Sequence, residues 1–194
     1  MDGAEPRARR RGKGSMSRAF VDEDNSRAAE TEAPEIKIPI PPGSRNYLTP
    51  EGAERLTAEL HELTDRQRPR IMADVARAAT SGAGNDELAA LRRELGRTDR
   101  RIEYLLRMSR MAEIVTPPES GYDRVRFGAR VRVREESGAE LEYRIVGVDE
   151  ADLEHGLIGW TSPVARALMG RKAGDTASVR LPAGEKRLLV LELR

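Results

Sequence analysis

Apolar residues recur at spacings of three and four through the middle of this chain. Leu88, Leu91, Leu95, Thr98, Ile102, Leu105, Ser109 and Ala112 form one series, and Leu56, Leu60, Leu63, Ile71, Val75 and Ala78 form another. That alternation is the seam of two helices packed side by side, so the series predict two long helices, near 50–79 and 88–112, joined as an antiparallel coiled-coil hairpin. The connecting tip, Ser81-Gly82-Ala83-Gly84-Asn85-Asp86-Glu87, is small and polar. Pro69 interrupts the first series, and a kink or register slip is expected there, not a second loop. At 1.5 Å per residue each arm is roughly 40 Å long, more than a domain of this size needs to bury a core. Such a rod is built to reach.

The first helix has Thr49 as N-cap, Pro50 at the first helical position and Glu51 suited to the helix dipole. The second is expected to end near Val115, before Thr116-Pro117-Pro118, a double proline that marks a domain boundary. Beyond it the period becomes two: Val125, Phe127, Ala129, Val131 and Val133 alternate with Arg126, Arg130, Arg132 and Arg134, a strand with one buried and one wet face. A turn over Glu135 to Ala139 leads to Leu141, Tyr143 and Ile145, and a short strand follows near Leu157 to Trp160. Ser162, Pro163 and Gly170 then start and stop a short helix, and two strands near 176–181 and 187–193 close the chain. The fold class is therefore α+β: the hairpin over 46–116, then an antiparallel sheet with one helix over 117–194.

Residues 1–45 read as a disordered tail and linker, poor in apolar side chains and ending in Pro34, Pro39, Pro41 and Pro42. Met16 heads Met-Ser-Arg-Ala-Phe and offers an alternative start that the intact mass of the native protein distinguishes. The 194 residues are 35% charged and 4% aromatic, which favours two thin modules over one large core. A soluble, cytoplasmic protein without a membrane partner is expected, because no apolar run approaches the length of a span. With no cysteine there is no thiolate zinc site and no cysteine nucleophile, and His61 and His155 are isolated, so no intrinsic metal is expected.

The net charge of +1 hides a segregated distribution. From Leu88 to Ala112 seven arginines face three acids. Arg93, Arg100 and Arg107 fall opposite the seam, and Arg92 and Arg97 lie beside that line. This basic stripe is either a contact for RNA or a protein, or a solvated helix face.

Two strings in the C-terminal part resemble a known family. Tyr143-Arg144-Ile145-Val146-Gly147-Val148-Asp149-Glu150-Ala151-Asp152, followed by Ser162-Pro163-Val164-Ala165-Arg166-Ala167-Leu168 and Gly170-Arg171-Lys172-Ala173-Gly174-Asp175, is similar to the C-terminal domain of bacterial GreA and GreB transcript cleavage factors. Leu48-Thr49-Pro50-Glu51-Gly52, Arg68-Pro69 and Asp99-Arg100-Arg101-Ile102 are similar to that family's coiled coil, and details of the second helix lean towards GreB. The resemblance covers about residues 46 to 194. It implies an FKBP-like C-terminal fold docked on bacterial RNA polymerase, with the hairpin entering the secondary channel toward the nascent RNA 3′ end. It further implies a monomeric protein with no catalytic residue of its own, whose tip acids hold Mg2+ in the polymerase active site. Two-metal hydrolysis needs such carboxylates as hard ligands.

The tip departs from that pattern. Ser81 and Gly84 stand where the family places its two acids, while Asn85 matches its asparagine, and Asp86 and Glu87 are the candidate replacements. Capping is the competing reading, since Asn85 is a preferred N-cap and acids at the next two positions suit a helix N-terminus without any metal. The resemblance also implies that Thr161, Ser162 and Pro163 contact polymerase, and Ser162 and Pro163 equally serve as a helix start. The expected function is modulation of backtracked complexes, with stimulation of RNA cleavage as the first reading. The alternative is a channel regulator that inhibits or competes with cleavage factors. An adaptor unrelated to transcription and an autonomous magnesium nuclease are the rivals from other classes; one acidic pair and no histidine cluster make a poor two-metal site.

Overall fold

The computed structural model describes residues 36–82, 84–182 and 184–194. Most of the stretch read as tail and linker lies outside them. Of its remainder, Ile40 is buried and Ile38 packs against the base of the helices.

Strand β1 (Asn46–Leu48) leads through Thr49 into α1 (Pro50–His61). The Thr49 hydroxyl accepts from Gly52 N at 3.0 Å, and Pro50 opens the helix, where its missing N–H costs nothing. A π-helical turn, Glu62–Gln67, then separates α1 from α2 (Arg68–Thr80). Its cause is in the sequence. Leu63 and Ile71, both buried, are eight residues apart where seven would continue the seam, and the wider turn absorbs the extra residue just before Pro69. The slip expected at Pro69 takes this form.

The chain reverses after Thr80 and returns as α3 (Asn85–Arg110). Arg68 donates to Asp99 at 2.7 Å between the arms, and Arg101 makes a two-pronged pair with Glu59 at 2.7 and 2.8 Å. Leu56 and Leu63 of the first arm cluster with Leu105 and Met108 of α3 and with Leu48 of β1. Ser109, expected in the seam, is exposed, and Met108 is fully buried in its stead. Near the base α3 packs on β1 and on Ile38 as well as on α1, which rotates its buried face. The helix also stops at Arg110, short of Val115, because Ala112–Ile114 forms β2, paired in parallel with β1.

The second module is a five-stranded sheet in the order β5-β4-β3-β7-β6. Its strands are β3 (Arg130–Glu135), β4 (Glu140–Val146), β5 (Leu157–Gly159), β6 (Thr176–Leu181) and β7 (Gly184–Leu193). The expectation of a wholly antiparallel sheet needs correction. β3 pairs antiparallel with β4 and β7, and β6 with β7, but β5 runs parallel to β4. Two 3-10 turns, Val148–Glu150 and Leu153–His155, carry the chain back between those strands, so it re-enters in the same direction. The strand expected from Val125 begins only at Arg130, although Val125, Phe127 and Ala129 are buried as their alternation requires.

One face of the sheet buries Val131, Val133, Ile145, Val179 and Val190 against α4 (Pro163–Leu168), which contributes Ala165 and Leu168. The other face is a lattice of compensated charge: Arg130 with Glu142 at 3.3 Å, Arg132 with Glu192 at 2.9 Å and Arg134 with Glu140 at 2.7 Å. Among the described residues no helix is long and apolar enough to cross a membrane.

Candidate functional site

The tip is built by the ends of α2 and α3. Ser81 caps α2, its N–H bonded to Arg77 O at 3.0 Å, and Gly82 takes φ +72°, a conformation that glycine adopts without strain. Gly84, not Asn85, occupies the cap position of α3, with φ −58° and ψ 146° and no side chain to offer. Asn85 is the first helical residue, so its reading as an N-cap is corrected. The four-residue connection places the extended cap conformation one residue earlier than the side-chain preference alone suggests.

Asp86 and Glu87 follow in the first turn of α3, where they complement the positive end of the helix. Asn85, Asp86 and Glu87 are all exposed, and none of their side chains makes a hydrogen bond or ion pair among the described residues. The arrangement presents two carboxylates to solvent at the end of the hairpin remote from β1 and β2. Among the described residues no cluster of three or more metal-ligating side chains occurs, so a cation held at the tip would need ligands from elsewhere.

Of the predicted basic stripe, Arg92, Arg93, Arg97 and Arg100 are exposed and make no ion pair among the described residues. Arg93, Arg97 and Arg100 stand four and three residues apart, hence on one face over about 10 Å of helix. Arg107 differs: it pairs with Glu103 at 2.6 Å and is partly buried. The stripe with free charge is therefore the tip-ward half of α3.

Thr161, Ser162 and Pro163 lie together where β5 hands over to α4. Ser162 Oγ accepts from Ala165 N at 3.2 Å, so its capping role is real, and Pro163 at the first helical position is exposed. Beside them Trp160 packs edge-on against Tyr47, with ring centroids 5.5 Å apart. This cluster and the tip belong to different modules.

A polar network at the base of the hairpin was not foreseen. Glu150 is 7% exposed, and its carboxylate accepts from Thr49 N at 3.0 Å, from Thr49 Oγ1 and from Gly147 N at 2.9 Å, with Arg55 Nη2 at 3.4 Å. Its neighbour Asp149 accepts from the Tyr104 hydroxyl at 2.8 Å. One signal was available: a glycine in the first turn of a helix costs roughly 1 kcal/mol against alanine, so Gly52 asks for a close neighbour. That neighbour is the Glu150 carboxyl, which a Cβ on Gly52 would overlap.

Comparison with known proteins bears on both modules. Residues 46–114 match the family described as transcription elongation factor, N-terminal, and residues 117–194 match transcription elongation factor, GreA/GreB, C-term. The transcription elongation factor GreA of Verminephrobacter eiseniae is 40% identical over 148 residues, covering 74% of this chain and 94% of that protein. GreB of Pseudomonas aeruginosa is also 40% identical over 148 residues, covering 75% of this chain and 88% of its own length. Among solved structures, GreA factor homolog 1 (Gfh1) of Thermus thermophilus is 26% identical and covers 77% of this chain and 99% of its own, with a TM-score of 0.37.

Proposed function

The chain belongs to the GreA/GreB family of transcription elongation factors, and on that premise we propose that it binds bacterial RNA polymerase and modulates backtracked elongation complexes. In this reading the helical arms are a coiled coil that enters the secondary channel, and the sheet module is an FKBP-like fold that docks at the rim through Thr161, Ser162 and Pro163. The protein acts in the cytoplasm as a monomer and has no catalytic site of its own. Polymerase cuts the RNA, and the tip assists by holding the second Mg2+ of the polymerase site over the nascent RNA 3′ end. Asp86 and Glu87, exposed at the hairpin's end and without a partner among the described residues, carry this reading. Arg92, Arg93, Arg97 and Arg100, unpaired among the described residues, support a path for extruded RNA along α3, an attraction that salt weakens.

A second reading is favoured by the residues at 81 and 84. Neither Ser81 nor Gly84 carries a charge, and adjacent Asp86 and Glu87 diverge by about 100° around the helix, a poor geometry for one shared ion. Here the protein occupies the channel and competes with cleavage factors.

RNA cleavage in a defined backtracked complex with Mg2+ separates the two. Stimulation by the protein, lost in the Asp86→Ala, Glu87→Ala double variant, supports metal delivery. Binding without stimulation supports the channel-occupying regulator, and Ser81→Asp with Gly84→Glu should then create cleavage. Gly84 accepts the change, because its φ is ordinary and a Cβ there meets nothing within 4 Å. Failure to bind polymerase at all would sink both.

A further inference from the structure

One 3-10 turn, Val148–Glu150, reaches both arms of the hairpin. Its last residue grips the start of the first arm. The Glu150 carboxylate has about four acceptor positions, and four donors converge on it: Thr49 N, Thr49 Oγ1, Gly147 N and the Arg55 guanidinium. Thr49 Oγ1 is shared, for it donates to Glu150 and accepts from Gly52 N, so the cap of α1 and the tie to the sheet module are one atom. The approach is closed by glycines on both sides, because a Cβ on Gly52 or on Gly147 would strike that carboxyl.

The middle residue of the turn grips the second arm. Asp149 Oδ1 accepts from Tyr104 of α3 at 2.8 Å. Tyr104 is itself held under the Arg101 guanidinium, 5.2 Å from its ring centroid, and Arg101 is tied to Glu59 of α1. Tilting the hairpin about its base in either direction therefore breaks a hydrogen bond to Asp149 or exposes the Glu150 carboxylate to a lost partner.

We propose that Asp149 and Glu150 are positioning residues, a two-point clamp that fixes the direction of the hairpin and so aims its tip from the base. The leverage is large. α1 to α2 spans about 31 residues, or roughly 46 Å, so a tilt of about 10° at the clamp moves the tip by roughly 8 Å. Chemistry that depends on placed ligands tolerates about 1 Å. The consequence for the tip rests on the function proposed above; the clamp itself does not.

Because the protein has no cysteine, two labels can be placed uniquely. Spin labels at Ser81→Cys in the tip and Ser178→Cys on β6, both exposed, report the distance from hairpin end to sheet in the full chain. The parent and Thr49→Ser, which keeps the shared hydroxyl, should give one narrow distance. Thr49→Asp still caps α1 but sets a carboxylate against Glu150, and it should broaden or shift the distance by several ångströms with the helical circular dichroism retained. Glu150→Gln should do so more weakly, since its one oxygen can still accept from the Thr49 and Gly147 N–H groups while its NH2 faces Thr49 Oγ1 and the Arg55 guanidinium in place of an acceptor. Tyr104→Phe, a milder change at the other arm, keeps the test open if either variant fails to fold. A broad distance in the parent overturns the proposal, as does a distance that stays narrow in Thr49→Asp and in Tyr104→Phe. In backtracked complexes the clamp variants should lower maximal cleavage by roughly tenfold or more at an unchanged half-saturating concentration. A parent that does not stimulate cleavage would overturn the metal-delivery reading alone, and the distances would still decide the clamp.

Discussion

The surroundings of Tyr104 change its chemistry. Burial pushes its phenol above the usual range, the hydrogen bond to Asp149 and that residue's negative charge push it further, and Arg101 opposes them. A raised native value means that the contribution to stability is complete below the ordinary tyrosine value of 10.0 and is lost as pH rises above it. Burial also raises Tyr122 and Tyr143. In a spectrophotometric titration of the native protein, Tyr104→Phe should therefore remove a late-titrating phenol, and the remaining absorbance change should finish at lower pH. An unchanged final phase would show that the Tyr104 hydroxyl is free. At this scale the sequence was partly legible. Thr49, Pro50, Ser162 and Pro163 stand where their local preferences put them, because capping is decided within four residues. Asn85 does not, because adjacent Gly84 can also take the cap conformation and the turn between the arms chooses between them. Glu150 was invisible because its partners Thr49 and Gly52 lie about a hundred positions away in the chain.

Elements with a long period were readable, and those without one were not. The helical seams and the alternation through Val131 and Val133 repeat often enough to declare themselves. β1 and β2 are three residues each and owe their existence to each other, which is also why α3 ends at Arg110. The direction of β5 escaped for a different reason: alternation tells which face a side chain takes and says nothing about the sense of the strand. The π turn shows how two causes combine. The eight-residue step from Leu63 to Ile71 carries one residue too many, and Pro69 lacks the N–H that a regular helix would use. Removing either cause alone leaves the other. Deleting exposed Gln67 together with Pro69→Ala should restore a regular helix with a continuous seam and raise stability by about 1 to 3 kcal/mol in urea unfolding. Deletion without Pro69→Ala should gain less, and a loss in the double change would show that the π turn is itself stabilising.

Across the molecule, charge is arranged by task. On the outer face of the sheet every arginine of β3 has a carboxylate partner, and the balance leaves that face with little net field. On the tip-ward half of α3 four arginines have no partner among the described residues, nor have Asp86, Glu87 and Glu94, so the surplus is small overall and an attraction for phosphate is confined to the face that carries Arg93, Arg97 and Arg100. The pairing of β1 with β2 has another kind of consequence. It ties residue 46 to residue 112, so the hairpin is shut at its base by hydrogen bonds and along its length by the packing of its arms. Covalent continuity through 81–84 is then dispensable: two separately made pieces, divided after Gly82, should find each other, co-purify and give the intact protein's spectrum, with strand pairing and the seam acting as the joint. The reach of this protein would thus survive a cut at the very point that does the reaching.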